Sequence, residues 1–189
     1  MRLRWVVLAA LLLASVVLSS ERASSQEGNE FAPKNGMFTI IMPRGEKSGQ
    51  HKQVLTIKNR RIPVEGFHSE LKDGTGFTGA SIGIPAVVMR ELPADQRFDV
   101  LRDGLVKSMK GKVAEEKDIK QDPVTGKEYQ IELPKGAARM QLYTVAGWVV
   151  FAIVEGKSKE AVTNKQADDF FDTLKLTDKA KTVFRRVKR

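Results

Sequence analysis

The chain of 189 residues carries 32 Lys plus Arg against 23 Asp plus Glu, a formal net charge of +9, with two His and no Cys. That length accommodates one ordinary domain with tails, and 41% hydrophobic with 29% charged residues is a globular rather than a disordered composition. Without Cys there is no disulfide framework, thiol nucleophile or thiolate-held zinc or iron–sulfur site, and two His exclude most His-rich metal centres.

The surplus of positive charge sits at the ends. Residues 1–25 hold Arg2, Arg4 and Arg22 against Glu21, and residues 175–189 hold Lys175, Lys179, Lys181, Arg185, Arg186, Lys188 and Arg189 against Asp178. The body between them is balanced, with 22 basic and 21 acidic residues. A nucleic-acid-binding domain spreads a basic stripe over its folded surface. This body has no such excess, so no nucleic acid partner is expected.

Met1 to Arg4 make a short basic start, and Trp5 to Leu18 follow as 14 uncharged residues. That run is shorter than the roughly 20 apolar residues that span a bilayer, and it fits the apolar region of a secretory signal peptide. Ala23 and Ser25 stand where an A-x-A-like cleavage site places them, which predicts a signal peptide over 1–25 and a mature start at Gln26. The chain is then exported to the periplasm or outside the cell; an uncleaved amino-terminal membrane anchor is the alternative. No Cys follows the apolar run, so a lipid-anchored lipoprotein is excluded. Residues 26–35 read as a polar leader before a single domain over 36–177.

Within the body, Phe38, Ile40 and Met42 have strand spacing, Gln53 to Ile57 is a short second strand, and Pro63 to Leu71 alternates again before the Asp73-Gly74 turn. Phe77 to Val88 reads as extended and glycine-interrupted. After Pro93, the steps from Phe98 to Leu101, Leu105 and Met109 predict a helix that stops at Gly111. Lys112 to Ile119 is a polar edge strand ending in the Asp122-Pro123 turn. Tyr129, Ile131 and Leu133 then face one way, with Glu128, Gln130 and Glu132 on the opposite, polar face. Ala138 to Val145 leads to an Ala146-Gly147 corner, and Trp148 to Val154 is apolar without alternation, as in a central strand covered on both faces. Thr163 with Gln166 matches a capping box for a last helix whose apolar face is Ala167, Phe170, Phe171 and Leu174. This order predicts an α+β fold with an antiparallel sheet between helices.

Two glycine motifs are present in letters only. Gly74 to Gly79 spells G-x-G-x-x-G, but the dinucleotide site needs a helix to open there, and the following residues are β-leaning and broken by Gly83 and Pro85. Gly79-Ala80-Ser81-Ile82-Gly83 spells G-x-S-x-G. An α/β-hydrolase needs its His after that Ser, whereas His51 and His68 both precede Ser81. His51 reads as a residue of a polar loop and His68 as one near a strand end. Glu115 and Glu116 project to opposite faces of a strand and cannot share a proton or a metal; Asp168 and Asp169 diverge on a helix. Phe170, Phe171 and Trp148 read as packing residues. No catalytic residue, cofactor-binding residue or metal ligand is assigned, and no cofactor is expected.

Gly36-Met37-Phe38-Thr39-Ile40-Ile41-Met42-Pro43, Gly126-Lys127-Glu128-Tyr129, Ala138-Arg139-Met140-Gln141-Leu142-Tyr143 leading into Trp148 to Val154, and Phe170-Phe171-Asp172-Thr173-Leu174-Lys175-Leu176 together resemble the PsbP/Mog-like family. Thr173-Leu174 stands where many relatives have Ser-Phe. The resemblance covers about residues 31–177 and implies an α/β/α sandwich. Members of this kind act mostly as binding or assembly proteins, among them a photosystem extrinsic subunit and a Ran-binding import factor, and no shared catalytic residue comes with the fold.

The expected function is a non-enzymatic exported binding or assembly module of the periplasm or cell envelope. One alternative is a hydrolase whose carboxylate pair is assembled only by folding. Another is a structural protein attached to anionic surfaces by its tail. Residues 178–189 read as a flexible basic tail, with Lys179, Lys181, Arg185, Arg186, Lys188 and Arg189 as contacts to an anionic membrane or polymer.

Overall fold

The computed structural model describes residues 28–57, 60–93 and 96–187. The predicted signal peptide lies outside the described residues, as do Gln26, Glu27, Lys188 and Arg189. In chain order the elements are β1 (Gly28–Phe31), β2 (Phe38–Pro43), β3 (Lys47–Ile57), β4 (Arg60–Glu70), β5 (Gly76–Gly83), α1 (Ala86–Glu91), α2 (Arg97–Ser108) and β6 (Lys112–Gln121). They continue with β7 (Val124–Leu133), β8 (Gly136–Val145), β9 (Trp148–Gly156), α3 (Lys159–Thr163), α4 (Lys165–Thr173), β10 (Lys175–Leu176) and α5 (Asp178–Val187).

Seven strands form an antiparallel sheet in the order β3-β4-β5-β9-β8-β7-β6, and β1-β2-β10 form a small second sheet. Strand β9 shows why its sequence lacks alternation. Val149, Phe151 and Ile153 enter one core, with α1 and α2 over it, while Val150, Ala152 and Val154 enter the other. The first core takes Val88 and Leu92 from the α1 region and Leu101, Leu105 and Val106 from α2. The second takes Phe38, Ile40 and Met42 from β2, Val162 from α3, and Ala167, Phe170 and Phe171 from α4. Both faces of the central strand are dry, so both are apolar. The result is an α+β sandwich around an antiparallel sheet, as the sequence predicts.

Several local expectations give way. The leader is partly ordered: β1 pairs with β2, because Phe31 packs edge-on to Phe38 at 6.0 Å and against Phe67 at 5.5 Å. The second strand runs from Lys47, well before Gln53, so His51 sits in β3 opposite Gly66 rather than in a loop. The stretch expected to stay extended as far as Val88 ends as a strand at Gly83, and residues 86–91 are helical. Pro85, which needs no N–H, precedes the first turn, and burial of Val88 outweighs the β preference of two adjacent valines. The cap of α4 is Asn164, whose side-chain oxygen accepts from Ala167 N at 2.9 Å, while the Thr163 hydroxyl turns back to Lys159 O. The corner after β8 is a two-residue hairpin turn with Ala146 and Gly147 both at positive φ, 44° and 88°.

Candidate functional site

Residues 178–187 form a helix docked on the sandwich, not a flexible tail. Sequence spacing explains it: Ala180 and Phe184 lie four apart, so both fall on the face turned to the second core. Thr177 fixes the start of α5, its hydroxyl donating to Gly36 O at 2.7 Å and accepting from Ala180 N at 3.3 Å. Docking leaves Lys179, Arg185 and Arg186 exposed and Lys181 half-buried. Lys181 and Arg185 follow one side of the helix, and Lys179 and Arg186 the other. Lys179 Nζ also donates to Asn35 O at 2.8 Å, tying α5 to the β1–β2 connection. Of the predicted contacts, Lys179, Lys181, Arg185 and Arg186 thus share one helix.

Beside α5 lies a polar groove of about 630 Å³ with Lys120, Lys175 and Lys181 on its rim and Gln121, Gln141 and Tyr143 in its floor. The Asp122 carboxyl is held below its ordinary value by a hydrogen bond from Lys120, with the charges of Arg185 and Lys181 adding to it. Gln121 Nε2 donates to Leu174 O at 2.8 Å, and its Oε1 accepts from Leu176 N at 2.9 Å. Burial pushes the Tyr143 phenol up, opposed by the hydrogen bond from Gln121.

Under α4 the polar chain continues into a buried ion pair. Arg139 Nε and Nη2 donate to the two Glu128 oxygens at 2.9 and 3.1 Å, Gln141 donates to Oε2 at 2.8 Å, and Lys117 Nζ stands 2.9 Å from Oε1. The Arg139 guanidinium also meets Asp168 and lies over the Phe171 ring at 4.8 Å. Burial pushes the Glu128 carboxyl up, but the bonds from Arg139, Lys117 and Gln141 outweigh it and hold the group below its ordinary value. Glu128 lies on the polar face that the sequence predicts, and there Arg139, Gln141 and Lys117 bury it, with Asp168 and Phe171 of α4 against Arg139. The available signal was Arg139 and Gln141, two polar residues alternating within an otherwise apolar strand, opposite Gln130 and Glu128 in register.

The rejected motifs are strand and turn. Residues 76–83, with both letter matches running through them, belong to β5, and Ser81 is buried with its hydroxyl accepting from Asn35 Nδ2 at 2.6 Å. His68 Nδ1 lies 2.9 Å from the Thr78 hydroxyl. Glu115 pairs with Lys159, whereas Glu116 turns to Lys127 and Arg102, so the two do leave opposite faces. Asp168 and Asp169 diverge to Arg139 and Lys165. Phe170 and Phe171 are buried and Trp148 packs at the edge of the second core. Among the described residues Glu128 is the only buried carboxylate.

No protein-family model matches the chain, and no curated protein matches it in sequence. Among solved structures, the solution structure of cyanobacterial PsbP (CyanoP) from Synechocystis sp. PCC 6803 is similar at a TM-score of 0.53 and 10% identity, over 85% of this chain and 99% of that one. At that identity the likeness extends to the fold alone: the chain is PsbP-like in its architecture.

Proposed function

We propose that the chain is an exported, non-enzymatic binding or assembly module of the periplasm or cell envelope, and that it attaches to anionic surfaces through the outer side of α5. The observation that supports this is the display of Lys179, Lys181, Arg185 and Arg186 on one docked helix, bordered by the Lys120 and Lys175 rim of the groove. Near an anionic membrane each Lys or Arg contributes about 1 kcal/mol. Four such residues give weak, salt-sensitive attachment, and a rigid helix presents them without the ordering cost that a loose tail has to meet.

The test is co-sedimentation of the full-length chain with phosphatidylglycerol-containing vesicles and with phosphatidylcholine vesicles. Binding is expected to the first only, to fall steeply with salt, and to be lost in Arg185→Glu/Arg186→Glu. Equal binding by wild type and variant sinks the reading. Amino-terminal sequencing of the native protein tests export separately, with Gln26 the expected first residue.

A further inference from the structure

We propose that the cleft at the β8–β9 end of the large sheet is a binding site for an anionic amphiphile, a small molecule with an apolar body and a single carboxylate or phosphate head. This site is separate from α5 and does not depend on the reading above.

The cleft has a volume of about 540 Å³, within the roughly 300–1,000 Å³ of ordinary ligand pockets. Its apolar wall is Ile84, Met89 and the Trp148 indole. The Trp148 indole lies close against Gly83: a Cβ there would stand 3.2 Å from two ring atoms, a tight contact that the ring would have to ease by a few tenths of an ångström. A hydrogen bond from Ile84 N to Gly147 O, 2.7 Å, holds the end of β5 to the hairpin turn and fixes the floor. A half-buried Trp beside a half-buried Met offers a broad, adaptable apolar contact.

Among the described residues the charged side chains lining the cleft are Arg90 and Arg97. Arg90 lies in the last turn of α1 and Arg97 opens α2. Arg97 Nε donates to Leu92 O at 3.3 Å, which steadies the side chain. Glu91, the carboxylate next to Arg90, is engaged by Arg60 at 3.4 Å. Among the described residues no carboxylate pairs with Arg90 or Arg97. Two arginines on the rim of a cleft with an apolar, aromatic wall select an anionic head on an apolar body and reject a cationic one.

Isothermal titration calorimetry of the full-length chain with decanoate, decyl phosphate and decyltrimethylammonium, each below micelle formation, decides the matter. One anionic amphiphile per chain is expected, bound at least about tenfold more tightly than the ammonium. Arg90→Glu should weaken it about tenfold or more, and Ala86→Trp should block the cleft, while Arg185→Glu/Arg186→Glu leaves it unchanged. Arg90 and Ala86 are exposed, and circular dichroism melting confirms that both variants fold. Binding of decanoate alone assigns a fatty-acid-like ligand, and of decyl phosphate alone a phosphomonoester. Equal affinity for the ammonium, unchanged affinity in Arg90→Glu, or no amphiphile binding overturns the proposal; so does a dimer by light scattering that Ala86→Trp disrupts while no amphiphile binds.

Discussion

Replacing Arg139 with Met removes a guanidinium that is 12% exposed and leaves Glu128, 5% exposed, without its bidentate partner. Lys117 and Gln141 remain on the carboxylate, and the exposed Asp168 simply returns to water. Breaking a buried ion pair from one side costs about 3–5 kcal/mol, because the surviving charge stays desolvated. The remaining Lys117 ammonium moves the expectation to the lower end, about 3 kcal/mol at neutral pH. The pH dependence has a definite sign. Since the folded Glu128 carboxyl titrates below its unfolded value of about 4.3, its stabilisation is complete above that value and is lost as pH falls through the folded one. In Arg139→Met, protonation relieves the stranded charge, so the gap between wild type and variant narrows as pH falls to about 4 and below. Urea unfolding followed by circular dichroism at neutral and acidic pH measures both effects. The double variant Glu128→Gln/Arg139→Met should regain most of the loss, as no buried charge is then unpaired. A loss under about 1 kcal/mol at neutral pH, or strictly additive losses in the double variant, would refute the treatment of this pair as one coupled unit.

Phe170→Ala removes a fully buried ring that meets Phe77 edge-on at 5.1 Å, and thermal or urea unfolding should show a loss of about 3–5 kcal/mol. Asn164→Ala should cost about 1 kcal/mol through the α4 cap, whereas Thr163→Ala stays within about 0.5 kcal/mol; the reverse order in unfolding midpoints would restore the capping box read from the sequence. Deleting 178–189 exposes what Ala180 and Phe184 cover, and we expect a loss of about 2 kcal/mol. For a chain of this size that lowers the melting temperature by roughly 4–8 °C, and an unchanged melt would mean that α5 does not hold to the sandwich.

What the sequence made legible follows from local pattern. Phe38, Ile40 and Met42 alternate, Trp148 to Val154 does not, and Ala167, Phe170 and Phe171 recur at helical spacing; each pattern is the imprint of how many faces an element buries. The misreadings share a physical origin in long-range contact. Residues 86–91 carry two adjacent valines, and only the core under α1 makes them helical. Glu128 alternates like its polar neighbours Gln130 and Glu132, and only the neighbouring strands, through Arg139, Gln141 and Lys117 with α4 packed on Arg139, make it a buried charge. The tail looked loose because its apolar residues are few, yet Ala180 and Phe184 suffice once the β1–β2 connection supplies Gly36 O and Asn35 O as anchors. The Arg90–Arg97–Trp148 cleft joins residues from three elements, and no spacing in the chain announces it.

The Gln121 side chain ends in the same chemical group as a peptide unit, and it meets Leu174 O and Leu176 N as the backbone of a flanking strand would. An edge of the large sheet is thereby stitched to the small one by a single residue. A three-stranded layer whose last strand has two residues has little persistence of its own. Its lifetime is borrowed from the seven-stranded layer to which that amide fastens it. The chain ahead of α5 is therefore tied both to the exposed 112–121 edge and to the second core, so the carboxyl-terminal helix shares its local opening with two sheets rather than fraying alone.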